Sequence, residues 1–212
     1  MISGRSLLCL RCGHTWTPRK HGRPAQCPHC HSPNWDRAPE ANFQDVAVLL
    51  NQLKHRRLLR DWVIIGSVAY IFHDQPINTA DMDVLALASS PGGFEGTILP
   101  ALSKRGHRVS AGGDVFLVSG VPLQILDASV SPMLADVIRG AVWGEIGDER
   151  VKVASREHTI LLGLVRFSPA DWGRIDRLLA GADTKKLMRL IERFDDSTET
   201  LRQRLDTFPS SQ

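Results

Sequence analysis

Hydrophobic positions change period several times along the chain, and each change predicts an element. Phe43, Val46, Leu49, Leu50 and Leu53 recur at helical spacing and predict an amphipathic helix running to about residue 59. Residues 62–65 form an apolar run closed by Gly66, which reads as a buried strand. A short helix is expected over 68–73, a second buried strand over 82–87, and a helix over 94–104. Residues 115–118 and 121–126 flank Ser119-Gly120, the signal for a two-residue hairpin. Pro122, at the start of the second of these strands, predicts a sheet edge. One more strand is expected over 150–153. The C-terminal part reads as helical, over 133–138, 157–167 and a final helix over about 183–205. Ser168-Pro169-Ala170-Asp171 has the form of a capping box with proline at the first helical position, and a cap is the expected role of Asp171.

The first 38 residues follow none of these patterns. They hold too few aliphatic side chains for a core of their own, yet they carry all four cysteines, four of the eight histidines and two of the five tryptophans. Six basic residues stand against two acidic ones in the first 40, so the chain's net charge of +3 resides here. Three units are expected: 1–38, 40–182 and 183–212.

Cys9-x2-Cys12 and Cys27-x2-Cys30 are separated by fourteen residues. Two cysteines two residues apart can place both sulfurs on one ion through a tight turn, and two such turns complete a tetrahedral four-thiolate site. The expectation is structural Zn2+ on Cys9, Cys12, Cys27 and Cys30, supplying the folding energy that the small core lacks. The segment resembles the zinc ribbons of many bacterial proteins. One of His14, His29 and His31 in place of a thiolate is the alternative. Arg11, Arg19, Lys20, Arg23 and Arg37, interleaved with Trp16 and Trp35, suit either nucleic-acid contact or a solvated surface over packed rings.

At 212 residues and 42% hydrophobic, the chain can bury one sizeable core. No apolar run approaches the roughly 20 residues of a membrane span, and no export signal opens the sequence. A reducing, cytoplasmic location without a membrane partner is therefore expected.

The most informative stretch is residues 64–87, IIGSVAYIFHDQPINTADMDVLAL. A strand ends in Gly66-Ser67, and thirteen residues separate Ser67 from Asp81-Met82-Asp83, which opens an apolar strand. Side chains two apart on a strand share a face, so Asp81 and Asp83 can hold one or two divalent cations between them. Such ions bridge and activate triphosphate oxygens. The Gly-Ser turn suits a phosphate, because backbone N–H groups point outward and glycine permits close approach.

This compound pattern resembles the nucleotidyltransferase superfamily that includes DNA polymerase beta. It is most similar to the minimal members, among them toxins of type IV toxin–antitoxin and abortive-infection systems. The resemblance covers about residues 45–180. It implies an α+β fold: a small mixed sheet with flanking helices and a helical C-terminus, here preceded by the ribbon. It also implies Gly66 and Ser67 as nucleotide-binding residues and Asp81 and Asp83 as catalytic ligands of Mg2+ or Mn2+, with an NTP as substrate. Many members carry a third carboxylate where this chain has Gln124, and Asp127 nearby is read as a cap for the next turn. The toxin-like members carry a helix lysine whose place falls to Gly163 or Arg166, and a later aspartate that Asp171 could match. Two functions stand: a metal-dependent enzyme moving NMP onto an RNA or protein hydroxyl, or an inactive relative acting as a nucleic-acid-binding or regulatory module.

Overall fold

The computed structural model describes residues 6–10, 14–18, 22–29, 31–36, 42–73, 75, 77–90, 93–103, 108–109, 115–196, 198 and 200–208. The N-terminal segment contributes a two-stranded antiparallel sheet, β1 (Leu7–Leu8) and β2 (Thr15–Trp16). The main body runs α1 (Phe43–His55), β3 (Leu59–Ile65), α2 (Gly66–Phe72), β4 (Met82–Ala88), α3 (Gly93–Ser103), β5 (Arg108–Val109), β6 (Val115–Val118) and β7 (Val121–Asp127). After a 3-10 turn over Ala128–Val130 come α4 (Pro132–Arg139), β8 (Val142–Ile146), β9 (Glu149–Val153), α5 (Arg156–Arg166), α6 (Pro169–Leu179), α7 (Thr184–Phe194) and α8 (Thr200–Leu205).

Seven strands form one mixed sheet in the order β5-β6-β7-β4-β3-β9-β8. The β4–β7 and β3–β9 pairs are parallel, and the others are antiparallel. The two runs expected to be buried strands are β3 and β4 at the middle of the sheet. Alternation divides their side chains between two layers. Trp62 and Ile64 of β3 and Met82, Val84 and Ala86 of β4 face the leucines of α1 and Ile98 and Leu102 of α3. Val63, Ile65 and Leu85 face Val137 and Ile138 of α4. A third cluster joins α5, α6, α7 and α8 through Leu161, Leu164, Ile175, Leu190 and Leu205.

Local chemistry starts most of these helices. Asn42 accepts the Gln44 and Asp45 N–H groups ahead of α1, Ser131 that of Met133 ahead of α4, Ser155 that of His158 ahead of α5, and Asp183 that of Lys186 ahead of α7. Asp127 accepts the Ser129 N–H, the capping role expected of it.

Four local expectations are corrected. Pro122 lies in β7, which is an interior strand flanked by β6 and β4. The hairpin turn at Ser119-Gly120 has φ of 44° and 78°, so Val118 and Val121 close it and Pro122 faces Leu117. In the alternation that follows, the Pro122 nitrogen points away from β6, and pairing with β4 begins only at Leu123. The missing N–H therefore costs no ladder bond. The final helix is two helices: Asp195 ends α7 and turns its carboxylate onto the Leu201 and Arg202 N–H groups of α8. The short helix α2 starts at Gly66 itself, not two residues later. Residues 142–146, unassigned in the sequence, form β8, paired with β9 across a turn that places Gly147 at φ 57°.

Candidate active site

Helix α2 springs from the end of β3 with no intervening loop, and the sharp change of direction falls on Gly66 at φ 62°. L-residues with a Cβ avoid that conformation. The position is also crowded. A Cβ on Gly66 would collide with Asp83 Oδ2 and lie 3.2 Å from Asp83 Cβ and Cγ. The antiparallel pairing of Ile65 with Asp83 sets this juxtaposition. On the other side, the parallel register of β4 and β7 puts Gln124 abreast of Asp83, and Leu126 lies one face-step further, two residues along as Leu85 is from Asp83.

These residues line a cleft of about 250 Å³. Gly66, Ser67 and Tyr70 come from α2, Asp83 and Leu85 from β4, and Gln124 and Leu126 from β7. Helix α4 supplies Leu134, α5 supplies Leu162, Gly163 and Arg166, and α6 supplies Asp171 and Arg174. The cleft thus lies between the sheet and the C-terminal helices.

Burial pushes the Asp83 carboxyl above the usual range, the neighbouring Asp81 charge pushes it further, and Arg166 acts in the opposite direction. Asp81 itself is exposed and accepts a hydrogen bond from the Thr79 hydroxyl. Gly66, Ser67 and Asp83 therefore come together in the cleft, with Asp81 outside its lining but within electrostatic reach of Asp83.

Asp171 departs from the expected cap. Ser168 makes no side-chain capping bond, and only its carbonyl receives the Asp171 N–H, at 2.8 Å. The Asp171 side chain is turned inward: the residue is 3% exposed, with its carboxylate 3.3 Å from Arg174 Nη1 and 3.5 Å from Arg166 Nε. The Arg166 side chain is 72% exposed, whereas that of Asp171 is buried. Of the two positions weighed for the helix cation, Arg166 is the one that carries a charge into the cleft. Arg174 and Tyr70 were not singled out by the sequence. Nothing in their local spacing separates them from surface and core positions of amphipathic helices.

A second polar cluster secures the start of α5. His158 Nδ1 and Ser155 Oγ are 2.9 Å apart, and His158 Nε2 lies 3.3 Å from Asp136 Oδ2. Lys186 Nζ donates to Ser155 Oγ at 3.1 Å and to Glu157 Oε2 at 2.7 Å. Asp136, Ser155, Glu157 and His158 are all buried, and the serine hydroxyl is engaged within the cluster. The arrangement joins α4, α5 and α7, and so fixes the helix that carries Leu162, Gly163 and Arg166 to the cleft.

In the N-terminal segment, Cys9 and Cys27 are fully buried against Trp35, with Leu7 and Trp16 packed around them. The Cys9 N–H donates to the His14 carbonyl, and the His31 N–H to the Cys27 carbonyl. The His29 N–H points at Cys27 Sγ, 3.4 Å away. Cys12 and Cys30 lie outside the described residues. Among the described residues, no group of three or more His, Cys, Asp or Glu side chains forms that could hold a metal ion. Among the same residues, no helix is long and apolar enough to cross a membrane.

No family model matches the chain, and no curated protein matches it. The structure is similar to that of an antigenic nucleotidyltransferase-like protein from Paracoccidioides brasiliensis, with a TM-score of 0.49 and 17% identity over 80% of this chain and 89% of that one. It is also similar to the solution structure of the antibiotic-resistance factor ANT(2'')-Ia, with a TM-score of 0.52 and 16% identity over 77% of this chain and 97% of that one. At such identities the second likeness is one of fold. It agrees with the mixed seven-stranded sheet and flanking helices described above.

Proposed function

We propose that the protein is a metal-dependent nucleotidyltransferase that moves NMP from an NTP to a hydroxyl of an RNA or protein acceptor. The observation that carries this reading is the placement of Asp83 against the Gly66 turn, with Asp81 close enough to disfavour its ionisation. Two carboxylates held in mutual repulsion, one of them half-buried, are an unfavourable arrangement that a divalent cation relieves. All-oxygen donors of this kind suit Mg2+ or Mn2+. When bound, the metal would neutralise triphosphate charge and polarise the phosphorus under attack.

The chain's own residues would do the rest. Gly66 and Ser67, at the start of α2, line the cleft and would present backbone N–H groups to a phosphate. Arg166, at the mouth, supplies positive charge for the polyanion. The acceptor hydroxyl oxygen bonds to the α-phosphorus as the bond to the departing pyrophosphate breaks, and its proton leaves to solvent. The geometry between sheet and helices holds donor and acceptor together, which is the larger part of catalysis in phosphoryl chemistry.

The test incubates the protein with each labelled NTP, Mg2+ or Mn2+, and total cellular RNA, beside an Asp81→Ala/Asp83→Ala double variant. Label on RNA or protein with the wild type alone supports the enzyme. A second reading, an inactive fold serving as a nucleic-acid-binding or regulatory module, is favoured by the neutral Gln124 abreast of Asp83. Absence of transfer from a folded, metal-loaded protein would select it.

We also propose that Cys9, Cys12, Cys27 and Cys30 hold a structural zinc. The burial of Cys9 and Cys27 and the N–H directed at Cys27 Sγ support it, because a thiolate needs such donors when removed from water. One zinc per chain by elemental analysis is the expected result. Its absence in protein purified under reducing conditions would remove the proposal.

A further inference from the structure

Strand order fixes what stands on either side of Asp83. Strand β4 lies between β3 and β7, with Ile65 of β3 abreast of Asp83 on one flank and Gln124 of β7 on the other. Gly66 and Ser67 follow Ile65, so the triphosphate, on the reading given above, lies on the β3 flank. The cations of the cleft gather there too. Arg174 lies 5.7 Å from the ring centre of Tyr70, on α2 one turn beyond Ser67. Asp171 lies within 3.5 Å of both Arg166 and Arg174.

The β7 flank has the opposite character. Its polar residue is Gln124, a neutral amide. Leu126 follows on the same face, abreast of Leu85, with Leu134 of α4 and Leu162 of α5 also in the lining. Leu126 is 37% exposed although β7 is an interior strand, and Leu134 and Leu162 are half-buried. Part of this apolar lining is therefore open to solvent. Among the described residues, β7, α4 and Leu162 bring no cation, carboxylate or imidazole to the cleft.

Transfer at phosphorus puts the attacking and leaving oxygens roughly in line. With pyrophosphate departing along the Gly66–Ser67 flank, the attacking hydroxyl enters from the β7 flank. We propose that this flank is the acceptor subsite and that it takes a tyrosine side chain of another protein, not an RNA. The inference rests on the nucleotidyltransferase reading given above.

Two features select this acceptor. An RNA would bring phosphates to a surface that offers them no cation, whereas an aromatic ring gains by covering the leucines. Gln124 cannot take a proton, so the acceptor hydroxyl must lose its own to solvent. A phenol, with a pKa of about 10, does so far more readily than a serine or sugar hydroxyl. In the step, the tyrosine oxygen bonds to the α-phosphorus, the bond to pyrophosphate breaks, and the phenolic proton leaves to solvent. The chain's single tyrosine, Tyr70, is buried, so the acceptor belongs to another protein.

The experiment offers the protein each labelled NTP, with Mg2+ or Mn2+, and three acceptors at equal concentration. These are a pool of capped degenerate peptides containing tyrosine, the same pool with serine in its place, and a degenerate RNA oligonucleotide. Binding of each NTP is measured separately by calorimetry. Wild type is compared with Leu126→Asn, which keeps the position neutral and removes its apolar surface. The expected result is label on the tyrosine pool, about tenfold or more above the serine pool and the RNA. In Leu126→Asn the KM for the tyrosine pool should rise about tenfold, the worth of one leucine's apolar contact, while NTP affinity is unchanged.

Label on the RNA and none on the peptides would overturn the inference and leave nucleotidyl transfer standing. Equal label on the serine and tyrosine pools would overturn it by showing that no phenol is selected. An unchanged KM in Leu126→Asn would overturn it by moving the acceptor off the β7 flank. NTP binding without label on any acceptor would overturn it together with the transfer reading. A wild type that binds no NTP would remove both as well.

Discussion

Asp83 Oδ2 fills the space that a Cβ on Gly66 would need. The glycine is thus required twice, once for its φ of 62° and once for the approach of the carboxylate. Gly66→Ala should lower stability by about 2 kcal/mol or more, from left-handed strain and displacement of Asp83. Urea titration reads the first effect. The second should appear as loss of nucleotidyl transfer at temperatures where the variant is still folded.

Asp83→Asn separates folding from chemistry. The Asp83 pKa is raised in the folded chain, so its ionisation opposes folding, and that penalty grows as pH rises through the folded value. A neutral amide of the same shape removes it. The variant should melt at or above the wild-type temperature at pH 7 and lose metal-dependent transfer. A clear drop in melting temperature would mean that the carboxylate has a structural task.

Two serines in capping positions should behave differently. Ser155 accepts the His158 N–H and is bonded to His158 Nδ1 and Lys186. Ser155→Ala should cost about 1–2 kcal/mol. Ser168 makes no side-chain cap bond, and Ser168→Ala should stay within about 0.5 kcal/mol of wild type. Chemical denaturation of the pair decides whether α5 is anchored by its buried cluster.

Acid should act through Glu157. The Lys186 ammonium and the Asp183 N–H hold its carboxyl at about 2, below its ordinary 4.5, despite the opposing effect of burial. A depressed carboxyl contributes stability that is complete above the unfolded value and is lost as pH falls from about 4.5 to about 2. Glu157→Gln should therefore be less stable at pH 7, by about 2 kcal/mol once solvent screening at the Lys186 side is allowed for. The difference should shrink through that window and vanish at its lower end. Stability measured against pH for both proteins gives the comparison.

The central strands, most helices, the hairpin and the meeting of Gly66, Ser67 and Asp83 were legible in the sequence. Each rests on local rules: the period of apolar positions and a residue that tolerates positive φ. The sequence also expected Asp81 and Asp83 on one strand face, but β4 begins at Met82 and Asp81 lies just before it. Residues 142–146 escaped because their short mixed pattern lacks alternation, and only pairing with β9 makes them a strand. Pro122 misled because a missing N–H marks an edge only when a neighbour needs it, and the register of β4 removes that need.

Asp171 shows the limit most clearly. The motif Ser-Pro-Ala-Asp has the form of a cap, and the helix does begin there, as the sequence determined. The direction of the carboxylate was decided by Arg174, one turn along the same helix, and by Arg166 of α5, which reaches it only when α5 packs against α6. Tyr70 and Gly163 are likewise ordinary residues in their own helices. Their meeting over the cleft depends on how α2 and α5 are set against the sheet. The sequence by itself determined most of the elements, because these depend on residues near one another along the chain. The tertiary structure alone decided the cleft's other wall, because side-chain direction and burial there depend on partners some ninety residues away.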